Sequence, residues 1–308
     1  MTGLALRGRP LPARRRSRGQ GRSAFLFLAP FFLFFGVFML APIAYALGRS
    51  FFSEQASGLG FGGGEPVFVG FDNFARALTD PRFLQSFANI GTYVIVYIPI
   101  MIGLALTIAL LLDSAAARAR SFFRVSYYLP TIVPGLIASL IWLYLYTPGV
   151  SPLVQAVESA GLTWSLDTPI AGIFAITNVS TWLHTGYNII LFYAALQSVP
   201  KEVLESAKVD GAGPFRTSLQ IKTPMIKPAL TLAVLFTVVG AMQIFAEPLL
   251  LRSRASAITS TWAPNMYIYE VAFGLRDNGL AAAASVILAL VIGLMSFLVT
   301  RLGRRADS

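Results

Sequence analysis

Pro200 to Pro228 reads PKEVLESAKVDGAGPFRTSLQIKTPMIKP, a charged segment set between two long apolar runs. Pro200 suits the first turn of a helix, where its missing N–H costs no helical bond, and Ser198 is a plausible cap. Val203, Leu204 and Ala207 then share one face, with Lys201, Glu202, Glu205 and Lys208 on the polar side. Asp210-Gly211 ends this short helix, because glycine adopts the positive φ that a helix exit needs. Pro214 opens a second short helix with Phe215 and Leu219 four residues apart on its apolar face. Two short helices at an elbow between membrane spans have the form of a plug for a soluble partner.

Working outward, 56% hydrophobic and 12% charged residues place the 308-residue chain in a membrane rather than in water. The net charge of +10 would suggest nucleic acid in a soluble protein. Here the basic residues flank apolar runs, where they orient spans, so nucleic-acid binding is not expected. Cysteine is absent, which excludes disulfides and thiolate metal sites.

An all-α, polytopic fold with about six transmembrane helices is expected. A basic tail over residues 1–23 precedes a transmembrane region over 24–302, and residues 303–308 form a second tail. The spans are read at about Ala24–Leu47, Asn89–Leu112, Ser121–Tyr146, Ile170–Gln197, Met225–Leu251 and Leu280–Leu302, each near the roughly 20 residues a bilayer core requires. Ala44-Tyr45-Ala46 is compatible with signal-peptidase cleavage, a rival reading of the first span. That run, however, exceeds the roughly 7–15 apolar residues of a signal peptide. Gly58–Gly64 reads as a loop, and Gly70 to Phe74 leads into a short surface helix. Pro130 and Pro134 imply a kinked third span. Asn178, Ser180, Thr181, His184 and Asn188 stud the fourth, which should face protein or water. Ala281, Ser285, Ala289 and Gly293 form a small-residue stripe on the sixth, suited to close helix packing. Eighteen of the 24 Lys and Arg fall on the side of the tails and the 200–228 loop. Both termini and the loop are therefore expected in the cytoplasm.

Glu205-Ser206-Ala207, Gly211 and Ile221-Lys222-Thr223-Pro224 together resemble the EAA loop of permease subunits of bacterial binding-protein-dependent ABC importers. Ser206 and Thr223 stand where that family usually has Ala and Leu. Trp182, Thr185-Gly186-Tyr187-Asn188 and Ala207 to Gly211 resemble more narrowly the carbohydrate-uptake permeases of the maltose and glycerol-phosphate type. Ile244-Phe245-Ala246-Glu247-Pro248, Tyr267-Ile268-Tyr269 and Phe273 are similar to the first permease of such a pair. The resemblance runs from about Ala24 to Arg301. It implies import of a sugar, polyol or sugar phosphate across the bacterial cytoplasmic membrane. It further implies a cytoplasmic ATP-binding subunit dimer, a second homologous permease and an extracytoplasmic solute-binding protein as partners. Glu202, Glu205, Ala207, Asp210, Gly211, Phe215, Ile221 and Pro224 would couple the chain to the ATPase.

No G-x-x-x-x-G-K-[ST] phosphate loop occurs, and no nucleophile–base pair stands at a motif spacing. The chain is therefore read as non-catalytic, without cofactor or metal. For the substrate path, Trp182, Tyr187, Asn188, Gln243 and Glu247 are the candidates. Trp182 and Tyr187 could stack on sugar rings or simply pack. Gln243 and Glu247 lie four apart, hence on one face of a continuous helix. Glu247 either faces a cavity or sits near the outer end and pairs with Arg252 or Arg254. His184 reads as a hydrogen-bonded interior residue. An ion-coupled secondary transporter and a membrane scaffold are the alternatives from other classes. The first would keep uptake under ATP depletion, and the second leaves the polar fourth span unexplained.

Overall fold

The computed structural model describes residues 18–55, 65–114 and 119–305, so the basic tail through residue 17, the Gly58–Gly64 loop and the last three residues lie outside the described set. The chain divides into two units, Met1–Gly48 and Arg49–Ser308. The first is helical: α1 (Arg18–Phe35), a π-helical turn over Gly36–Leu40 and the start of α2 (Ala41–Arg49). Phe25–Arg49 is apolar on every side, a 25-residue run that fits lipid and matches the expected first span.

The second unit opens with a small antiparallel hairpin, β1 (Phe52–Gln55) against β2 (Glu65–Phe68), with Phe52 opposite Phe68. The short surface helix α3 (Asp72–Thr79) follows. Its buried Asn73 donates to the carbonyls of Ser50 at 3.0 Å and Phe52 at 2.9 Å, tying helix to hairpin. Next comes α4 (Pro81–Asp113), 33 residues long, which starts eight residues before the expected second span. Asp80 caps it by accepting the Arg82 N–H at 2.8 Å, and Pro81 occupies the first turn. The Arg82 guanidinium, helped by that N–H and the Tyr267 hydroxyl, holds the Asp80 carboxyl down at about 2.

The third span is broken rather than kinked: α5 (Arg120–Ile132) and α6 (Gly135–Leu145) meet at 98°. Pro130 is carried inside α5, and Pro134 with extended backbone makes the corner. After the Ser151-capped α7 (Pro152–Ser159) comes α8 (Pro169–Gln197), which agrees with the fourth span within a residue. Ser198 closes α8 by donating to the Ala195 carbonyl at 2.7 Å and does not cap the next helix. That helix, α9 (Lys201–Val209), has Pro200 in its cap position. The elbow continues as α10 (Pro214–Arg216), a π-helical turn over Thr217–Lys222 and α11 (Thr223–Met225).

The fifth span is also broken. α12 (Lys227–Met242) leaves the elbow at 69° and stops at Gln243, and α13 (Ala246–Leu251) restarts after Phe245, whose φ of −146° is not helical. The elements α14 (Pro264–Tyr269), a π-helical turn over Glu270–Gly274 and α15 (Asn278–Arg305) complete the unit. Along α15 the small-residue stripe does not form one seam: Ala281 is buried, but Ala289 and Gly293 are exposed, and Ala284 and Leu288 carry the packing instead. Among the described residues, three helices are long and apolar enough to cross a membrane, or five if each bent pair counts as one span. The 29-residue α8 is long enough but polar, and it runs through the centre of the unit, packed against α4 and α5.

Gly186 accounts for that packing. A Cβ built there would lie 2.0 Å from the Tyr127 carbonyl oxygen, so α5 crosses α8 at a distance only glycine permits. Thr131 of α5 adds a hydrogen bond to the Leu183 carbonyl at 2.9 Å.

Candidate functional site

The elbow is built by local chemistry. Gly211 takes φ +76°, its N–H bonds to the Lys208 carbonyl at 3.1 Å, and the Ala212 N–H reaches back to the Ala207 carbonyl at 2.9 Å. These two bonds satisfy the exposed end of α9 in the Schellman arrangement. Asp210 occupies the cap position. Ala207 is buried, and Leu204 packs on a cluster formed by Ala109, Leu112, Phe192 and Leu196 at the ends of α4 and α8. Glu202 and Glu205 face outward, and Val203, expected on the inner face, is exposed as well. At the elbow Val209 is 88% and Phe215 79% exposed, two apolar side chains that the described residues of this unit leave uncovered.

Ile221 is half-buried and Pro224 exposed. Between them the sequence reading passed over a residue that fixes the elbow to the spans. Lys222 Nζ donates to Asp113 Oδ2 at 2.5 Å, and Gln197 Nε2 donates to Asp113 Oδ1 at 2.6 Å. Asp113 ends α4 and Gln197 ends α8, so one carboxylate joins the elbow to the two central helices. Both charged side chains are largely shielded, at 15% and 10% exposure, so salt screens this pair less than a solvated surface bridge, and removing one partner would leave the other as an uncompensated charge. A lysine inside the Ile221–Pro224 motif and an isolated aspartate after an apolar run were the available signals.

The second feature is a cavity of about 520 Å³ between α4, α5, α8 and the broken α12–α13 strand of helix. Tyr187, Asn188, Gln243 and Glu247 line it together with His184, Tyr93, Tyr97 and Phe236. Trp182 does not: it packs edge-on against Trp142, ring centres 6.2 Å apart, in the hydrophobic core. Gln243 and Glu247 reach the cavity by a route other than the one expected, since no continuous helix carries them. The chain breaks between them, and the Gln243 carbonyl accepts a hydrogen bond from Asn265 at 2.8 Å. Glu247 is buried at 8% exposure against the start of α6, with Oε1 3.7 Å from where a Cβ on Gly135 would stand. Among the described residues it forms no salt bridge, with Arg252 and Arg254 or otherwise. His184 Nδ1 lies 2.8 Å from the Ser180 carbonyl one turn earlier, which places a proton on Nδ1 and leaves Nε2 without one when the ring is neutral. Asn188 donates to the His184 carbonyl at 3.0 Å. The cavity thus combines aromatic faces with a few convergent polar groups, the usual composition of a small-molecule site. Among the described residues no cluster of three or more His, Cys, Asp or Glu is placed to hold a metal.

Residues 74–308 match the family described as the binding-protein-dependent transport system inner membrane component. A diacetylchitobiose uptake system permease protein of Streptomyces coelicolor is 31% identical, over 96% of this chain and 89% of its own length. A lactose transport system permease protein of Rhizobium radiobacter is 29% identical, over 90% and 92%. The sn-glycerol-3-phosphate transport system permease protein of Yersinia pseudotuberculosis is 28% identical, over 88% and 90%. In shape, the chain is similar to one from a bacterial ABC transporter that imports the acidic polysaccharide alginate, with a TM-score of 0.77, 20% identity and coverage of 93% and 96%. The match to residues 74–308 takes in the elbow, the broken spans and the cavity alike, and the chain belongs to the family of inner membrane components of binding-protein-dependent transport systems.

Proposed function

We propose that this chain is the membrane-spanning permease subunit of an ABC importer for a sugar or a related solute, driven by ATP hydrolysis on a separate subunit. The observation that carries the reading is the elbow: a rigid, capped turn with an exposed apolar tip, pinned through Lys222 and Asp113 to the helices that wall the cavity. Such a tip fits a groove on a soluble partner, and the pin gives displacement of the tip a path to the cavity. The sugar class is supported by the relatives named for diacetylchitobiose and lactose uptake and by the aromatic lining of the cavity.

In this reading the working complex holds a cytoplasmic ATP-binding dimer, a second similar permease and an extracytoplasmic solute-binding protein. A solved neighbour is described as an alginate ABC transporter in complex with its pentasaccharide-bound periplasmic protein, which supports the last of these. The excess of Lys and Arg on the elbow side orients the elbow and both termini toward the cytoplasm. Closure of the ATPase dimer moves the elbow, and α4 and α8 carry that movement to the cavity, which switches between inward and outward exposure. Glu202, Glu205, Asp210, Gly211, Phe215 and Pro224 present the docking surface, whereas Ala207 and Ile221 seat it. The chain itself catalyses nothing.

The test is reconstitution of the complex in lipid with Glu205→Lys, which reverses a charge on the exposed face of α9. Retention of the ATPase, binding-protein-stimulated ATP hydrolysis and solute uptake should all fall. Wild-type values in all three would overturn the coupling role, and uptake that persists without ATP but collapses with an uncoupler would favour an ion-coupled transporter.

A further inference from the structure

We infer that the cavity admits an uncharged, hydroxyl-rich sugar and rejects sugars bearing a phosphate or carboxylate, an inference that rests on reading the chain as a sugar permease. Membership of the family leaves this open, because the similar proteins are named for lactose, for glycerol 3-phosphate and for an acidic polysaccharide alike. The cavity wall of this chain is more specific. Among the described residues it contains one carboxyl group, Glu247, and no lysine or arginine. Arg252 and Arg254, the cations closest to it in sequence, are exposed beyond the end of α13 and do not line the cavity. The helix starts of α13 and α6 both meet Glu247, which lies in the first turn of the one and against Gly135 of the other, so each already faces a carboxyl group.

An anion entering such a space gives up its water for no compensating cation. It also meets Glu247, which offers it no positive partner. Proteins that bind phosphates or carboxylates supply arginine, lysine or clustered N–H donors instead. A neutral sugar has the opposite requirements. Its hydroxyls donate to the oxygens of Glu247 and to the amide oxygen of Asn188, whose N–H groups are taken by the His184 carbonyl and Met101, and exchange bonds with Gln243, able to donate and accept. Its C–H faces lie against aromatic rings, for which Tyr187 and Phe236, 51% and 60% exposed, offer open surface. His184 is the single group on this wall able to become a cation. Its Nδ1 contact with the Ser180 carbonyl leaves Nε2 to accept a hydroxyl when the ring is neutral.

The experiment uses the complete transporter in lipid nanodiscs. Equilibrium binding is measured for radiolabelled maltose, lactose, diacetylchitobiose, glucose 6-phosphate and galacturonate. At least one neutral disaccharide should bind about ten-fold or more tighter than both anionic sugars. Glu247→Gln, which keeps the shape of the wall, should weaken that neutral sugar by about ten-fold, the loss of a charge-assisted bond. Glu247→Arg should move the preference toward glucose 6-phosphate and galacturonate. Wild-type complex that binds either anionic sugar as tightly as the neutral ones overturns the inference while leaving the sugar-permease reading intact, and so does a preference that Glu247→Arg leaves in place. If none of the five sugars binds to a complex that retains its ATPase and hydrolyses ATP, both the inference and the sugar reading of this cavity fall.

Discussion

The elbow at Asp210–Gly213 and the break at Gln243–Phe245 both interrupt helices, and they do so by different means. At the elbow the interruption is written in residue types: a glycine at φ +76°, then a proline at the start of the next turn. Nothing lies within 4 Å of where a Gly211 side chain would begin, so the backbone alone imposes the choice. At the break neither residue type is present between Met242 and Ala246, and α12 ends where Asn265 takes the Gln243 carbonyl and where α6 receives Glu247. A turn that depends on its own residues keeps its shape while its surroundings move, which suits the coupling role proposed for the elbow. A turn held by neighbours changes when they do, which suits a cavity proposed to switch its exposure.

The largest effect should come from Gly186→Ala, which attacks the tertiary side of this contrast. The added carbon would stand 2.0 Å from a backbone oxygen that has no side-chain freedom to withdraw. The cost should exceed the roughly 1–3 kcal/mol typical of overpacking, because α5 must leave α8. Detergent-extracted protein should lose folded complex and melting temperature together, with the elbow sequence untouched. A variant with wild-type yield and melting temperature would show that the cavity helices tolerate separation.

Next in size is Gly211→Val, which attacks the local side. The strain, roughly 1–2 kcal/mol for a side chain in the left-handed region, is confined to one turn. Membrane insertion and yield should stay near wild type while ATP hydrolysis loses its link to uptake. Equal loss of yield for the two glycine variants would erase the distinction between a local and a packed turn.

The smallest effect should come from the joint between the regions. Asp113→Asn and Lys222→Met should each lower the solute carried per ATP, with the ATPase still bound. A double-mutant cycle between them should return an interaction energy of about 0.5–3 kcal/mol in stability. The exchange Asp113→Lys with Lys222→Asp should restore part of the coupling. Strictly additive single effects would mean that the elbow moves the spans through some other contact.

What was legible in advance follows the same division. The membrane class, the helical fold, the position of α8 and the exit of α9 at Gly211 depend on composition, apolar length and turn chemistry, which act over a few residues. The early start of α4 was also readable, since Asp80-Pro81 is an ordinary start signal that the hydropathy of the following run obscured. The role of Ser198 was not: it lies between two helices, and either could have claimed its hydroxyl.

By itself, the sequence determined that this chain lives in a membrane, that it is helical, and that a charged elbow divides its apolar runs. Those properties are sums over neighbouring residues or rules of a single turn. Only the tertiary structure decided that Pro134 makes a right-angled break, that Trp182 packs while Tyr187 faces the cavity, and that Gln243 and Glu247 meet there across a gap in the helix. It also decided that Asp113 and Lys222, 109 residues apart, share a proton-bearing contact. Such outcomes depend on which helices touch. That depends in turn on close approaches such as Gly186 against Tyr127, whose partner lies far away in sequence and leaves no local mark.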